Sequence, residues 1–269
     1  MQPIEIDKTI FGVFTRASKG RLDLTYDFET AAISSFRAIA AQLACSALVD
    51  VGANVGVYSV HVGGLGCIQH VHAFEPSPAA FDLLKANVGL QPHADKIHCY
   101  AIAASDRAGE AHFKIVSPLA GNNQVTDADG SIDVPCLPID ELLPIKGERI
   151  AVKVDVEGHE QQVLAGMRTL LRSNECYLQV ECLGGEQRVC VERILHELGY
   201  RWLFSLRDDH LFLSRRLEAE AAPLMRILAQ SVSADLKSLL TLRQEKRALA
   251  KQAKQLWLNV GYKYDPVLA

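Results

Sequence analysis

Short apolar runs alternate with longer segments of helical period between about residues 47 and 214. The short runs are rich in Val and Ile, whereas the longer segments repeat their apolar positions as amphipathic helices do. This alternation is typical of parallel strands joined by crossover helices, and it predicts an α/β sheet with helices on both faces. The seven candidate strands are Ala47–Val51, His70–Phe74, Ile97–Ile102, Ile150–Asp155, Tyr177–Glu181, Trp202–Ser205 and Leu211–Ser214.

The connection between the last two strands is short and polar. It contains Arg207, Asp208 and Asp209, a cluster of the kind found in turns. We therefore expect these two strands to form an antiparallel pair that closes the sheet.

Extra material lies between the third and fourth strands. Ala111–Val116 and Ile132–Cys136 resemble strands, and the polar loop between them begins at Gly121 and runs to Gly130. A hairpin is the simplest interpretation.

Both ends of the chain differ from the central pattern. Glu29–Ala44 has apolar residues at helical spacing, which predicts a helix packed on the edge of the core. From Leu217 to Leu258 the chain has no glycine, one early proline and many Leu, Ala, Lys, Arg and Gln residues, which predicts a helical appendage. The pattern divides the chain into an N-terminal segment and helix (1–44), a central domain (45–216) and a helical C-terminal appendage (217–269).

The appendage has an apolar stripe of 3-4 heptad spacing, which Asp235 and Lys246 interrupt. Such a stripe supports either a coiled coil between subunits, and hence a homo-oligomer, or packing against the chain's own domain. Its basic residues are consistent with contact to a membrane surface or an anionic carrier, and equally with a solvated helix face. The sequence leaves these alternatives open.

Composition argues against several classes of protein. The 269-residue chain has a formal net charge of −4 and contains no RNA-binding or base-stacking motif, so a nucleic-acid partner is not expected. No stretch reaches the roughly 18 apolar residues of a membrane helix, and the N-terminus lacks the features of a signal peptide, so we expect a cytoplasmic protein without a transmembrane segment. The seven cysteines form no CxxC pair, which favours buried thiols.

A glycine turn follows the first strand of the sheet. The stretch 48–59 is a buried strand, a turn and the start of a helix, and Gly52 and Gly56 would let a ligand approach the backbone because they have no β-carbon. Dinucleotide sites require the spacing GxGxxG, but Asn54 stands at the second glycine position. The turn therefore predicts a nucleotide site that does not bind a pyrophosphate.

Polar residues follow the second and third strands. Glu75 lies roughly 19 residues beyond Gly56, where a carboxylate can accept hydrogen bonds from both hydroxyls of a ribose. Ser105 and Asp106 follow the third strand, where Asp106 can accept a hydrogen bond from an adenine amino group. An ordinary turn at Ser105–Gly109 is the alternative interpretation.

Four motifs together resemble those of the FkbM-type methyltransferases. They read VDVGANVGVYS, AFEP, AIAASD and VKVDVEGHE, and the resemblance covers roughly residues 45–185. It implies a metal-independent O-methyltransferase that uses S-adenosylmethionine and has a doubly wound, mostly parallel seven-stranded sheet with strand order 3-2-1-4-5-7-6. It also implies that the turn holds the amino acid end of the cofactor, Glu75 the ribose, and Ser105 and Asp106 the adenine. The candidate cofactor-binding residues are Asp50, Gly52, Ala53, Asn54, Gly56, Tyr58, Glu75, Ser105, Asp106 and Asp155.

Three ionisable residues leave the fourth strand beside this site. Methyl transfer to a hydroxyl requires a base, and His159 is suited to that role because its ordinary pKa lies near neutrality. Asp155 and Glu157 are rival candidates, and either can instead orient the amino group of the cofactor. A metal held by these three side chains is disfavoured, because alternate residues leaving a strand diverge and the resemblance is to metal-independent enzymes. Glu160, in the first turn of the next helix, is favoured there by the helix dipole whatever its function.

The acceptor is the least defined part of the prediction. The resemblance implies a hydroxyl of a glycan sugar or of a secondary metabolite, and Asn122, Asn123 and Glu181 are candidate contacts to it. Two other functions stay open at this point. One is a non-catalytic S-adenosylmethionine-binding module that acts through its C-terminal helix, and the other is a nicotinamide-dependent oxidoreductase.

Overall fold

The computed structural model describes residues 6–9, 12–15, 30–114, 124–125 and 132–230. Strands β1 (Ile6–Thr9) and β2 (Gly12–Thr15) form an antiparallel pair near the N-terminus. The backbone N–H of Thr15 donates to Oδ1 of Asn87 at 2.8 Å, so this pair is attached to the main body of the protein.

A seven-stranded sheet forms the centre of the molecule, and all seven of its strands confirm the predicted positions to within two residues at each end. Its members are β3 (Ala47–Val51), β4 (His70–Phe74), β5 (Ile97–Tyr100), β10 (Arg149–Val154), β11 (Glu175–Glu181), β12 (Tyr200–Leu206) and β13 (Asp209–Ser214). The strands lie in the order β5-β4-β3-β10-β11-β13-β12, and only the pairs that include β13 are antiparallel. Numbered within the sheet, this is the order 3-2-1-4-5-7-6 that the resemblance implied.

Helices cover both faces of this sheet, as the alternating pattern predicted. They are α1 (Thr30–Gln42), α2 (Val57–Gly63), α3 (Pro78–Gly89), α4 (Ile139–Leu142), α5 (Glu160–Ala165), α6 (Arg168–Ser173) and α7 (Gly185–Glu197). One core packs the apolar residues of α1, α2 and α3 against the sheet, and a second core packs those of α5, α6 and α7. Strand β3 is buried along its whole length because both of its faces are covered.

A second, four-stranded sheet contains the two strands of the predicted hairpin, which pair antiparallel as expected, and adds two short strands to them. Strands β6 (Ala103–Ala104), β7 (Gly109–Lys114), β8 (Gln124–Val125) and β9 (Ile132–Leu137) lie in the order β6-β9-β7-β8. Strand β5 therefore ends at Tyr100 rather than at Ile102, because Ala103 and Ala104 pair with β9 instead of continuing beside β4. Of the predicted hairpin tip, Gln124 and Val125 form β8, and the other residues fall outside the described ranges.

The start of the C-terminal appendage packs on its own domain. A helix occupies residues 221–230, where Leu224 and Leu228 are buried in the first core while Met225 is 38% exposed. The rest of the heptad stripe lies outside the described residues, so the predicted coiled coil stays a prediction. Within the described ranges, none of the helices has the length and apolar character required to span a membrane.

Candidate active site

A cavity of about 200 Å³ lies at the carboxyl ends of the central parallel strands. Its walls come from the turn after β3, the segment after β4, the residues after β10 and Glu181 at the end of β11. Ligand sites of open α/β sheets occur at this edge, near the point where the strand order reverses between β3 and β10. The second sheet forms a further wall through Phe113 and Val125, together with Ile102, Ala103 and Ala104.

The glycine turn has a different physical basis from the one the sequence suggested. Gly52 and Gly56 have φ angles of 78° and 89°, which favour glycine. A β-carbon on Gly52 would lie 1.8 Å from the carbonyl oxygen of Asp155, and one on Gly56 would lie 2.6 Å from Cδ1 of Leu84. Each missing side chain thus makes room for the protein's own atoms rather than for a ligand. Gly52 lines the cavity through its backbone, whereas Gly56 does not line it.

Glu75 is buried and fixed by two backbone amides. Its Oε2 accepts from the N–H of Asn54 and its Oε1 from the N–H of Ser77, both at 2.8 Å. The side chain is 6% exposed and lines the cavity beside Asn54 and Ala53. Glu75 therefore contacts the glycine turn, although the two are far apart along the chain. The sequence predicted that they meet.

Lys153 places a buried ammonium group in the wall of the cavity. Its Nζ lies 3.0 Å from Oδ1 of Asp209 and 3.3 Å from Oδ2 of Asp155. It also lies 5.3 Å from the centre of the Tyr58 ring, whose hydroxyl accepts from Nε2 of Gln179 at 2.7 Å. Burial disfavours the charge of Lys153, but Asp155 and Asp209 raise its pKa well above the usual value. The group is therefore a permanent cation.

Asp155 and Glu181 together carry one negative charge, which lies on Asp155. Burial opposes ionisation of Asp155, but the ammonium of Lys153 and a hydrogen bond with Glu181 lower its pKa. Burial and the nearby Asp155 raise the pKa of Glu181 to about 10. At neutral pH Asp155 is ionised, and Glu181 keeps its proton and donates a hydrogen bond to Asp155.

Asp50 lines the cavity and is almost fully buried. The hydroxyl of Ser59 donates to its Oδ2 at 2.5 Å. Burial nevertheless raises the pKa of Asp50 to about 6, against the opposing effects of Ser59 and Lys153. Tyr58, the next predicted cofactor residue, is 8% exposed and lines the same wall.

Glu157 and His159 face the cavity from the loop between β10 and α5. Glu157 has a φ angle of 55°, and burial followed by the charges of Asp155 and Glu160 raises its pKa to about 7. His159 precedes the first residue of α5 without capping that helix through its side chain. Burial lowers the pKa of His159, so its neutral form is favoured.

Glu160 supports this loop from the interior. Its Oε1 accepts from the N–H groups of Gly158 at 3.0 Å and of Val156 at 3.4 Å, and its Oε2 accepts from Nε2 of Gln187 on α7. The residue is 1% exposed. Both carboxylate oxygens of Glu160 therefore have hydrogen-bond partners. These contacts explain its position more specifically than the general preference of acidic residues for the first helical turn.

Ser105 and Asp106 lie beside the cavity rather than in its wall. Ser105 is 6% exposed and Asp106 is exposed, and the cavity is lined instead by Ile102, Ala103 and Ala104. The hydroxyl of Ser105 lies 3.0 Å from Nε2 of His159 and 3.3 Å from Oδ1 of Asp106. Asn122 and Asn123, the predicted acceptor contacts, fall outside the described residues.

Sequence reasoning did not recognise Lys153 as part of the site. The sequence nevertheless contained a signal for it. Lys153 is a single lysine within the apolar run 150–154, and a lysine in a strand buried on both faces needs a specific partner. Phe113 and Val125 were also missed, and no local signal identifies them, because they reach the cavity only through the pairing of the second sheet.

Oxygen atoms of Asp155, Glu157 and Glu181 lie within 4.8 Å of one another. Three carboxylates at this spacing suit a positively charged partner. The ammonium of Lys153 already neutralises Asp155, and Glu181 retains a proton, so the protein supplies part of that positive charge itself. The oxygens of Asp155 and Glu157 thus lie close together, whereas the sequence predicted that alternate side chains leaving β10 diverge.

Residues 50–202 match the methyltransferase FkbM domain family. The hexuronic acid methyltransferase AglP of Haloferax volcanii is 35% identical over 179 residues, which cover 63% of this chain and 70% of that protein. The methyltransferase sdnD of Sordaria araneosa is 26% identical over 154 residues, which cover 45% of this chain and 60% of the relative. Among solved structures, the methyltransferase FkbM from Methylobacillus flagellatus aligns with a TM-score of 0.48 and 17% identity, over 63% of this chain and 44% of that one.

The family match includes the glycine turn, Glu75, Lys153 and the loop that follows β10. It spans more than half of the 269-residue chain. The residues that line the cavity thus lie within the matched region, and the protein belongs to the FkbM family of methyltransferases.

Proposed function

We propose that the protein transfers a methyl group from S-adenosylmethionine to a sugar hydroxyl. The observation that supports this most directly is that the glycine turn, Glu75 and the ionisable loop after β10 line one cavity. A nucleotide-holding wall and a candidate base are therefore within reach of one another, as in-line transfer requires.

The chemistry of the cavity fits the cofactor. Glu75 offers carboxylate lone pairs to the ribose, and Ile102, Phe113 and Val125 offer an apolar wall to the adenine. Asp155, Glu157 and Glu181 suit the positively charged sulfonium and amino groups, and Oε2 of Glu181 is buried with no hydrogen-bond partner among the described residues. The bound cofactor supplies a methyl group whose bond to sulfur breaks, with the electron pair staying on sulfur, as the bond to the acceptor oxygen forms.

His159 is the base in this proposal. Asp155 is a poor base because Lys153 and Glu181 both stabilise its ionised form. Glu157, with a raised pKa of about 7, is protonated in part of the molecules at neutral pH and also faces Asp155. His159 is neutral under the same conditions, and its Nδ1 has no hydrogen-bond partner among the described residues, so it can take the hydroxyl proton. We assign the carboxylates to the cofactor and His159 to the acceptor.

A sugar is the favoured acceptor because the relative AglP is named for a hexuronic acid. A hexuronic acid offers both hydroxyl and carboxylate oxygens. We favour a hydroxyl, since a carboxylate would approach three carboxyl groups and would need no base such as His159.

The test is a methylation assay with labelled S-adenosylmethionine and two acceptors, a hexuronic acid glycoside and the corresponding neutral hexose glycoside. We expect S-adenosylhomocysteine to form and the methylated product to survive mild alkali, as an ether does. Release of the label by alkali would identify a methyl ester and contradict the hydroxyl assignment. Binding of S-adenosylhomocysteine without turnover on any sugar would indicate a non-catalytic binding module. Tighter binding of NAD than of S-adenosylhomocysteine would overturn the cofactor assignment.

A further inference from the structure

We propose that Ser105 and Asp106 are positioning residues that set the tautomer of His159 and stabilise its protonated form. This inference rests on the proposed function, because it concerns the base of the reaction. It assigns a role to two residues that the cavity wall does not include.

Three polar groups form a chain that leads from the cavity to the surface. His159 lines the cavity, Ser105 is buried behind it, and Asp106 is exposed to solvent. The distance from Nε2 of His159 to Oγ of Ser105 is 3.0 Å, and from that Oγ to Oδ1 of Asp106 it is 3.3 Å. Ser105 and His159 are 54 positions apart in the sequence, so only the fold brings them together.

The number of hydrogens that the three side chains can donate permits one arrangement of their hydrogen bonds. A serine hydroxyl has one hydrogen, and an ionised carboxylate can only accept. If Ser105 donated to His159, its oxygen would face the carboxylate oxygen of Asp106 without a hydrogen between them. If Ser105 donates to Asp106, it accepts from Nε2–H of His159, and both contacts are satisfied.

This arrangement leaves Nδ1 of His159 unprotonated. Nδ1 has no hydrogen-bond partner within the part of the chain that the structure describes. It is therefore the nitrogen that accepts the proton of the acceptor hydroxyl. That proton moves to Nδ1 as the acceptor oxygen takes the methyl group, and the resulting imidazolium releases it to water after the product leaves.

Charge favours the same assignment. Burial disfavours the imidazolium, whereas Asp106 raises the pKa of His159 and Arg107 lowers it. The negative charge of Asp106 reaches His159 through the Ser105 hydroxyl, much as a carboxylate stabilises the imidazolium of a hydrolase. Asp106 stays outside the cavity and touches neither cofactor nor acceptor in this arrangement.

Packing holds Ser105 in place. Its N–H donates to the carbonyl of Leu137 at 3.1 Å, at the end of β9. Its own carbonyl lies against Gly166, where a β-carbon would approach to 1.8 Å. Helix α5 thus has His159 before its first residue and Gly166 after its last, and both ends meet the Ser105 segment. The second sheet and α5 together fix the contact between Ser105 and His159.

The first experiment is an NMR titration of the histidine rings in the protein without ligands, which does not depend on turnover. We expect His159 to be protonated on Nε2 in the native protein. Ser105→Ala should shift this tautomer toward Nδ1–H, Ser105→Thr should restore it, and Asp106→Asn should lower the pKa of His159. Ser35→Ala, a change at another buried serine, serves as the control and should alter none of these signals.

The second experiment measures turnover and cofactor binding in the same variants. Ser105→Ala should reduce kcat about tenfold and move the acidic limb of its pH profile, because an unaligned base loses part of the roughly 10²- to 10⁴-fold effect of general base catalysis. The Kd for S-adenosylhomocysteine should stay within about twofold, since Ser105 lies outside the cavity wall.

Two results would overturn the inference. An unchanged His159 tautomer in Ser105→Ala would remove its basis, and weaker S-adenosylhomocysteine binding with an unchanged pH profile would return Ser105 to the adenine site. Failure of the native protein to methylate any sugar would instead contradict the proposed function, and the NMR result would still decide the arrangement of the three residues.

Discussion

Lys153 is the residue that balances the charges of the site. It lies in the middle strand of the sheet, is 3% exposed and contacts the carboxylates of Asp155 and Asp209. A buried ion pair is sensitive to the loss of one partner, because the other charge is then left in a poorly solvated place. The ionisation of Asp155 depends on this lysine, whereas burial and Asp155 keep the proton on Glu181 against the opposing effect of the same ammonium.

We predict that Lys153→Met lowers the free energy of unfolding by about 3 kcal/mol at pH 7. The loss should become smaller as the pH falls below about 4, because protonated carboxyl groups no longer need the ammonium. Urea denaturation at several pH values measures this. A variant as stable as the native protein at pH 7 would contradict the prediction, because it would show that water solvates the two carboxylates well enough without Lys153.

Glu157 should make cofactor binding depend on pH. Its pKa of about 7 means that it ionises as the pH rises from 6 to 8, and the ionised form attracts a cation. We predict that S-adenosylmethionine binds about three- to tenfold more tightly at pH 8 than at pH 6, and that Glu157→Gln removes most of this difference. Calorimetry at both pH values tests this.

The matched control for this prediction is Glu141→Gln, at an exposed position of α4. It should leave the pH dependence of binding unchanged. S-adenosylhomocysteine, which lacks the sulfonium charge, should respond less to Glu157→Gln than the cofactor does. Equal responses of the two ligands would show that Glu157 does not sense that charge.

At the level of elements, two backbone amides of the loop between β10 and α5 are held by a residue of the following helix. Glu160 accepts from the N–H groups of Val156 and Gly158 and also contacts Gln187 of α7. Glu157 and His159, which line the cavity, alternate with these anchored amides. Their positions therefore depend on a carboxylate that does not line the cavity.

We predict that Glu160→Ala reduces kcat at least tenfold, whereas Glu160→Gln retains most of the activity because its amide oxygen can still accept from the loop. Hydrogen exchange at Val156 and Gly158 should become faster in Glu160→Ala. Exchange that stays slow while activity falls would point to a direct chemical role of Glu160 instead.

At the level of the whole molecule, an aromatic stack on the outer strands of the sheet should limit acid stability. His72 packs against His98 with ring centres 5.4 Å apart, and its Nδ1 lies 3.0 Å from the hydroxyl of Tyr100. Burial, followed by the neighbouring His98 and His70, lowers the pKa of His72 to about 4. The unfolded chain takes up this proton near pH 6.5, so the folded state loses stability as the pH falls from 6.5 to about 4.

We predict that this histidine accounts for up to about 3 kcal/mol of the stability lost over that range. His72→Phe keeps a ring in the stack and removes the titration, so its stability should fall less steeply below pH 6.5. Denaturant unfolding at pH 6.5 and 4.5 measures the difference. His112→Phe, at an exposed position of β7, is the control, and an equal effect of both changes would contradict the prediction.

Much of the fold followed from local pattern. Runs such as Ala47–Val51 are apolar apart from Asp50, which indicated buried strands, and the crossover segments between them predicted parallel neighbours. Because the carboxyl ends of parallel strands share one edge, residues that follow different strands, such as Glu75 and Asp155, were predicted to meet. The structure brings both into one cavity.

The sequence by itself determined the positions of the strands and the edge of the sheet where the site lies, because these depend on periodicity and turn chemistry within single segments. Four short motifs carried the resemblance to the family, and the strand order followed from that resemblance. Tertiary structure alone decided the four-stranded second sheet, the partners of Lys153 and the contact between Ser105 and His159. These depend on which side chains meet across distant segments and on how far each is removed from water. Burial sets the charge of Glu157 and Glu181, and no spacing in the chain encodes it.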